Sequence, residues 1–579
     1  MLGSASRPPA LPVAVSRQPF LSRLEAPLLA LSPNDPWRIR DAFEGTAIFG
    51  AVGGGKTSGS GRAIAHAFLK AGFGGLVLCA KVEERAMWER WARECGRTPS
   101  IIVFDGSGQR RINFLHYELG RHTDGHALTM NAVRLLETVL DAAEGKNGQS
   151  TTENPFWRKA VRQILSNAIQ PLYSGMGRVT LRELMQMIQT RPMTPRQALD
   201  TSPKGMQWRS TSKWWEFMDE ALKSPVHPIP APDYNVIYDY WTQMAQTDAK
   251  TVSNVIATMS ADLAPFMTGR LREVFATTTN IVPELTHEGA IIIMDWPIPE
   301  YDEVGLLAQQ VFKYLWQRSV ERRPVNDQTR PVFLWADECQ FFLNPYDAKF
   351  QSISRQKRSA TVYITQNLPL FYDRIGTQHP EHTADALLGN FQTKIWHTNS
   401  CPKTNQWAAD IIGKGIQWRR NVNVSENTGW QEGWNEGTNT GENVGANYGT
   451  SSTRGTSSGT NTGGGGGWSS SSQPGGSWNT HYNYGSNEGV SDSDGTNVGQ
   501  SVGRSRGSSR GTSGGTSGGH SRSAGASEVI DYHLQPSFFT TLRTGGNANN
   551  GIVEAVLFQG GRGWSHSRST WLPLAFSQS

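Results

Sequence analysis

The chain has 579 residues, and Lys plus Arg exceed Asp plus Glu by 55 − 50 = +5. That mild excess permits a nucleic-acid partner without demanding one, and the length is ample for a large core. Cys79, Cys95, Cys339 and Cys401 form no C-x-x-C pair, which argues against a zinc ribbon or disulfide scaffold and for a reducing compartment; no run reaches the ~20 apolar residues of a membrane-spanning helix.

Residues 1–40 are Pro-rich and predict an irregular lead-in without a signal peptide. From Thr46 the pattern is α/β. Thr46–Gly50 reads as a buried strand, followed by a glycine-rich loop and a helix over Thr57–Ala71. Gly75–Ala80 reads as a strand, Glu83–Gly96 as a helix carrying Trp88 and Trp91, and Ser100–Phe104 as a third strand. Strands alternating with helices predict a parallel sheet covered on both faces. Ala127–Ala143, Phe156–Tyr173, Thr180–Gln189 and Asp248–Phe266 carry apolar residues at helical spacing, which predicts an inserted all-α domain; the stretch 190–235 is Pro-rich and carries no clear pattern. The strand signal returns at Gly289–Asp295, Pro331–Asp337, Thr361–Thr365 and Thr393–His397, with helices over Gly305–Glu321 and Lys403–Ile412. A Gly/Ser/Asn/Thr tract follows, then His533–Arg543 as a helix and Gly551–Gln559 as a strand. The predicted organisation is a lead-in (1–40), the first part of the core (41–120), a helical insertion (121–285), the second part of the core (286–420), the glycine-rich tract (421–528) and a return to the core (529–579).

Gly50-Ala-Val-Gly53-Gly54-Gly55-Lys56-Thr57 satisfies G-x-x-x-x-G-K-S/T at every defined position and lies between a strand and a helix. Glycines let the backbone wrap phosphate oxygens with its N–H groups turned inward, and the helix N-terminus adds partial positive charge. Lys56 is the residue for the β- and γ-phosphates, Thr57 offers its hydroxyl to Mg²⁺, and Ser58 closes the loop. Val332-Phe-Leu-Trp-Ala-Asp337-Glu338 ends an apolar strand in paired carboxylates: Asp337 suits the Mg²⁺ shell, and Glu338 suits orientation and activation of a water. Gln366, at the end of the strand through Thr365, suits a sensor of the γ-phosphate. Arg355 and Arg358, in the cluster before that strand, suit a guanidinium supplied across a subunit boundary, Arg358 ahead of Arg355; the same cluster also reads as a solvated helix face or a phosphate contact to DNA.

The order of these motifs, with the long helical insertion between them, resembles the TraG/TraD-like coupling proteins of conjugative type IV secretion, within the FtsK/HerA class of hexameric motors. Asn113-Phe-Leu, Phe156-Trp157, Leu285 to Pro299, and Tyr372 through Gly389-Asn390 to Gly413 fit as well. The resemblance implies a RecA-like P-loop core, ATP and Mg²⁺ as cofactors, and a homohexameric ring that pumps DNA. It also implies a relaxase or other nucleoprotein as substrate, and an insertion that reads the DNA or its escort. Two departures stand out. The membrane anchor usual in these proteins is missing from the sequence, so the expected location is cytoplasmic, at most peripheral to the inner membrane through a secretion channel. Cys79-Ala80-Lys81 lacks the acid that usually precedes the lysine, and Lys81 has no assigned role. Arg158, Lys159 and Arg162 beside Trp157 are candidate DNA contacts, and equally a solvated helix face. A soluble HerA-like motor in DNA processing or defence is an alternative, as is an assembly protein whose ATP only gates polymerisation. No guanine-selecting Asn-Lys-x-Asp is present.

In the tract, glycine recurs every four residues over Gly429–Gly449 and again over Gly495–Gly519, with Gly463–Gly467 between. Odd positions are almost all Gly, Asn or Ser; even positions hold Trp430, Trp434, Val444, Tyr448, Trp478, Tyr482, Val498 and Val502. Period two predicts a strand with one small face and one larger face. Glu432, Glu436 and Glu442 lie in the first arm and Arg504, Arg506 and Arg510 in the second, so antiparallel folding brings opposite charges together. The expectation is a long β-hairpin that could pair into a tube within a ring, or else a flexible loop, since glycine weakens strands.

Overall fold

Apart from one short hairpin, every strand before the tract comes from a run already legible as apolar. The hairpin is β1 (Pro27–Ser32) with β2 (Asp35–Arg38), antiparallel, inside the stretch expected to be irregular. β3 (Thr46–Phe49), β4 (Gly74–Leu78), β5 (Ile101–Asp105), β6 (Ile291–Asp295), β7 (Val332–Ala336), β8 (Ser359–Thr365) and β9 (Thr393–Trp396) are mutually parallel. β3, β4, β7, β8 and β9 are buried at every residue, as continuous apolar strands of a sheet covered on both faces must be. This computed structural model describes residues 19–121, 129–144, 155–225, 227–375, 379–436, 491–494 and 510–578.

Residues up to Ile412 together with those from Leu534 onward form one compact unit, and Gly413–His533 form a second. In the second unit, β10 (Lys414–Glu436) pairs antiparallel with a later strand of equal length. β11 (Ser491–Asp494) is a short strand, and β12 (Arg510–Tyr532) is that partner, lying between the other two. The ladder therefore starts before, and ends after, the 421–528 boundaries expected for the tract. Within it Glu436 stands opposite Arg510. Glu442, Arg504, Arg506 and the run Gly463–Gly467 lie outside the described residues.

In the first unit, β13 (Ile552–Gln559) joins the free edge of β9 antiparallel, and β14 (Trp571–Ser577) follows it; the sheet order is β14-β13-β9-β3-β8-β7-β4-β6-β5. The return to the core is thus a hairpin and not a single strand. The helix expected over His533–Arg543 is only a 3₁₀ turn, Pro536–Thr540. Its apolar spacing serves one purpose, to drop Phe539 into the core against Trp396, ring centroids 6.1 Å apart.

The described residues between β5 and β6 are all helix, turn or loop. The expected helices appear as Thr129–Glu144, Pro155–Met176, Leu181–Gln189 and Ala249–Leu263, and the third starts on a capping box of Thr180 and Glu183. The Pro-rich stretch also forms helices, Pro203–Thr211, Lys213–Lys223 and Ala231–Met244. Pro203 and Pro232 sit in the first turns of two of them, where a missing N–H costs nothing. Beneath the phosphate loop, Phe68 stacks on Phe73 (4.9 Å) and on Phe333 (5.4 Å), and Trp88 stacks on Phe333 (5.6 Å) and meets Trp335 edge-on (5.3 Å). These rings join the helices Arg62–Lys70 and Glu83–Glu94 to β7, so the elements that carry the motifs share one rigid core.

Candidate phosphate and metal site

The glycine loop leaves β3 at Gly50. Gly53 and Gly55 take φ of +71° and +81°, the left-handed region that glycine tolerates best. Gly55 has a second reason to lack a side chain, because a Cβ there would stand 2.6 Å from Val553 of β13. The loop passes into one π-helical turn, Thr57–Gly61, before the α-helix Arg62–Lys70, where the sequence predicts a single helix from Thr57. Lys56 is buried, and its Nζ donates to the carbonyls of Gly50 (2.7 Å) and Ala51 (3.0 Å). Burial pulls its ammonium below the ordinary lysine value, against Asp337 and Glu338, which favour the charge.

β3 and β7 are not neighbours; β8 runs between them. That order places the end of β8 between the glycine loop and the paired carboxylates. Thr57 Oγ1 donates to Asp337 Oδ2 at 2.7 Å. Glu338 takes a left-handed backbone (φ +51°), and its N–H donates to Asp337 Oδ1 at 2.9 Å. Its carboxylate is buried and accepts from Lys81 Nζ (2.8 Å), Gln340 Nε2 (2.8 Å) and, more loosely, Gln366 Nε2 (3.4 Å to either oxygen). Burial by itself would raise the Glu338 pKa; the hydrogen bonds from Lys81 and Gln340 outweigh it and hold the group below the usual glutamate value. Thr365 Oγ1 donates to Gln340 Oε1 at 2.9 Å, which fixes the amide that holds Glu338.

Sequence reasoning left Lys81, Gln340 and Glu84 without roles. Lys81 follows β4, and β4 lies beside β7, so strand order is the signal that pairs it with Glu338. Burial would lower the lysine, but Asp337 and the hydrogen bond to Glu338 outweigh it and hold Lys81 above its ordinary value. Glu84 Oε2 accepts from the Ala80 N–H at 2.8 Å, and burial, with Asp337 adding to it, pushes its carboxyl well above the usual range.

The C-terminal hairpin reaches the same loop. Gln578 Nε2 donates to Ser58 Oγ at 2.7 Å, and His397 bridges Ser60 Oγ (2.7 Å to Nε2) and the Glu554 carbonyl (3.1 Å from Nδ1). An open pocket of about 720 Å³ runs from the loop past Lys81, Asp337 and Glu338 to Met87, Arg90 and Trp91.

The two arginines separate. Arg358 is buried with φ +49°, and its guanidinium donates to the carbonyls of Ser22 (2.9 Å), Asp327 (3.1 Å) and Thr329 (3.3 Å) and to Asp327 Oδ1 (3.2 Å). This placement reverses the ranking expected from sequence: Arg358 knits loops together. Arg355 is exposed and pairs with Glu44 at 3.3 Å, beside the entry ends of β3 and β8. In the helical block, Arg158 and Lys159 are exposed and Arg162 pairs with Glu137 at 2.7 Å. Among the described residues no helix is long and apolar enough to cross a membrane.

A glycine loop between a buried strand and a helix, facing a Thr–Asp pair and a held glutamate on a mostly parallel sheet, defines an α/β P-loop NTPase fold with a RecA-like core. No family model matches the chain, and no curated protein does. The fold is similar to that of the bacterial conjugative coupling protein TrwBdeltaN70 in its unbound monoclinic form, with TM-score 0.50 and 12% identity over 94% of this chain and 87% of that one. TrwB in complex with ADP and Mg²⁺ aligns at TM-score 0.42 and 14% identity, over 66% and 77% of the two chains. VirB4 of Thermoanaerobacter pseudethanolicus aligns at 0.38 and 15%, over 64% and 85%. The likeness to TrwBdeltaN70 is one of fold, and it agrees with the resemblance to coupling proteins carried by the motifs.

Proposed function

We propose that this chain is an ATP-driven motor of the coupling-protein kind, which hydrolyses ATP in a homohexameric ring to move DNA or a nucleoprotein such as a relaxase complex. The observation that carries the reading is the convergence of Thr57, Asp337, Glu338 and Gln366, from three separate strands, at the mouth of the glycine loop. The site fits Mg-ATP. A hydroxyl and a carboxylate 2.7 Å apart are hard oxygen donors of the kind Mg²⁺ accepts, and magnesium usually takes one or two carboxylates and leaves its remaining positions to phosphate and water. Bound there, the metal neutralises charge on the phosphate oxygens.

The chain's own residues supply the rest. The N–H groups of Gly53, Gly55 and Lys56 cradle phosphate, that of Gly54 being held by the Ala51 carbonyl at 3.0 Å, and Lys56 Nζ exchanges its carbonyl partners for phosphate oxygens. Glu338, kept ionised by Lys81 and Gln340, holds the attacking water and accepts its proton. Gln366 lies against Glu338 and links it to the end of β8. Met87, Arg90 and Trp91 form the wall for the nucleoside. Arg355, and not Arg358, is the guanidinium offered to another subunit. Fold similarity to a protein described as a conjugative coupling protein supports the secretion role. On this reading the motor works in the cytoplasm and reaches the inner membrane through the partners that form the channel.

Steady-state ATP hydrolysis with and without single- and double-stranded DNA tests the proposal. Wild type is expected to turn over faster with DNA. Lys56→Ala is expected to lose nucleotide binding, and Glu338→Gln to bind ATP without hydrolysing it. Turnover indifferent to DNA would remove the motor function, and full turnover in Glu338→Gln would remove that residue from catalysis.

A further inference from the structure

The helix Ile298–Arg322 carries a feature that packing does not explain. Val311, Phe312, Leu315 and Trp316 are buried on it, as on any core helix. Gln309, Lys313 and Gln317 are fully buried as well, and their four-residue spacing stacks them on one face. Lys313 Nζ donates to both oxygens of Asp347 (2.8 Å each) and to the Phe342 carbonyl, which uses all three of its hydrogens. Asp347 also accepts from Gln317 Nε2 (2.8 Å) and from the Asn344 N–H (2.9 Å). The side chains of Lys313 and Asp347 are 0% and 1% exposed. Such a buried ion pair is no better for stability than a well-packed apolar pair of the same volume.

What the helix grips supplies the reason. Lys313 holds the Phe342 carbonyl, and Gln310 Nε2 donates to the Phe341 carbonyl at 3.2 Å. These residues close the 3₁₀ turn Cys339–Phe341, which starts from Glu338. The Phe341 N–H donates to the Glu338 carbonyl (3.1 Å) and the Phe342 N–H to the Cys339 carbonyl (2.9 Å). Glu338 itself has φ +51° and ψ +47°. That left-handed backbone is costly for a residue with a Cβ and persists only where the surroundings impose it. One turn earlier on the same helix, Gln309 braces the other half of the site. Its Oε1 accepts from the Cys79 N–H (2.8 Å), and its Nε2 donates to the carbonyls of Cys79 and Trp296 (2.9 Å each). Cys79 leads into Lys81, the partner of Glu338.

Resting on the reading of Glu338 as the residue that activates water, we infer that Lys313 and Gln310 are its positioning residues. They hold the carbonyls of Phe342 and Phe341, and so keep Glu338 in the backbone conformation that directs its carboxylate to Lys81 and the nucleotide pocket. Asp347 aims the device: with both of its oxygens on the ammonium, one hydrogen of Lys313 is left for the carbonyl. Neither Lys313 nor Gln310 lines the pocket. They therefore act on the rate of the chemical step and not on nucleotide affinity, as a supporting shell does when it fixes a reacting group from behind.

The test compares two double variants of the full chain. Both neutralise the ion pair as a whole, so that no lone charge is left buried. The first, Lys313→Met with Asp347→Asn, removes the donor on the Phe342 carbonyl; the second, Lys313→Gln with Asp347→Asn, keeps one. ATP turnover and nucleotide affinity are measured beside amide hydrogen exchange of residues 339–342 in the nucleotide-free protein. The first variant is expected to bind nucleotide as wild type does, to turn over at least tenfold more slowly at saturating ATP, and to exchange the Phe341 and Phe342 amides at least tenfold faster. The second is expected to recover most of both losses. Wild-type turnover and exchange in the first variant would overturn the inference. Equal losses in the two would overturn it as well, by assigning the effect to the charges and not to the donor. Should both variants fail to fold, Gln310→Leu decides. A lower kcat at unchanged KM supports the inference, and wild-type turnover with wild-type exchange rejects it. A wild type without ATP turnover would remove the hydrolytic reading, while exchange of the turn still decides whether Lys313 holds it.

Discussion

His397 ties the end of β9 to the phosphate loop on one side and to β13 on the other. Burial, with Lys56 adding to it, pushes its imidazole down to about 3, against the hydrogen bond to the Glu554 carbonyl. The folded chain therefore keeps this ring neutral where an unfolded chain, with a histidine pKa of about 6.5, takes up a proton. A depressed histidine gives stability that is present above about 6.5 and is lost as pH falls toward the folded value, at up to about 1.4 kcal/mol per pH unit. His287, pushed down to about 4 chiefly by burial, acts in the same sense. These imidazoles lower thermal stability as pH falls from 7.5 to 5.5, while Glu84, raised by burial, acts in the opposite sense; His397→Gln is expected to lose distinctly less than wild type, with His287, His66 and His116 contributing to what remains. Equal losses in the two proteins would show that His397 does not titrate on unfolding. At this scale the sequence was most legible where chemistry is local. Lys56 and Thr57 are read from one loop, and Asp337 and Glu338 from one strand end. Lys81 escaped because its partner lies on a strand whose adjacency no local pattern encodes. Arg358 was misjudged because a guanidinium before a strand looks the same in sequence whether it faces a neighbour or three carbonyls.

Elements carry their own constraints, and β4 is the sharpest. Gly75 stands beside Phe333 of β7 in register, and a Cβ on it would fall 2.3 Å from that ring. Phe333 cannot withdraw, since Phe68 and Trp88 stack against it. Gly75→Ala is expected to cost about 1–3 kcal/mol, the usual penalty for overpacking a filled core. Adding Phe333→Leu to the same chain should recover part of the loss, so that the double variant is more stable than the sum of the singles implies. Strict additivity in denaturant titrations would show that the contact relaxes elsewhere. Buried parallel strands were visible as apolar runs such as Ile291–Met294, because both faces of a central strand are covered. Edge elements were harder to see. β1 and β2 carry prolines and half-exposed residues, and the 3₁₀ turn at Pro536–Thr540 imitates helical spacing over a single turn.

At the scale of the whole molecule, the position of Arg355 sets a requirement that one chain cannot meet. β3 and β8 are parallel, so the glycine loop leaves the exit end of β3 while Arg355 precedes the entry end of β8. Seven residues of strand at about 3.3 Å each keep the guanidinium some 20 Å from its own phosphate loop. If Arg355 serves catalysis it must serve the site of another copy, as a head-to-tail ring allows. Arg355→Ala chains should then bind nucleotide normally and hydrolyse it at least tenfold more slowly, because a trans-acting arginine stabilises charge only as the transition state forms. Lys56→Ala chains should be inactive for the opposite reason. Mixed in equal amounts and allowed to exchange, the two inactive proteins should regain activity. About a quarter of the interfaces in a randomly assembled ring then join an intact glycine loop to an intact arginine. Recovery to roughly that share of wild-type turnover would place Arg355 in trans. If the mixture stays silent while exchange of subunits is demonstrated by fluorescence transfer, Arg355 serves only its pair with Glu44, and the guanidinium must be sought elsewhere on the surface.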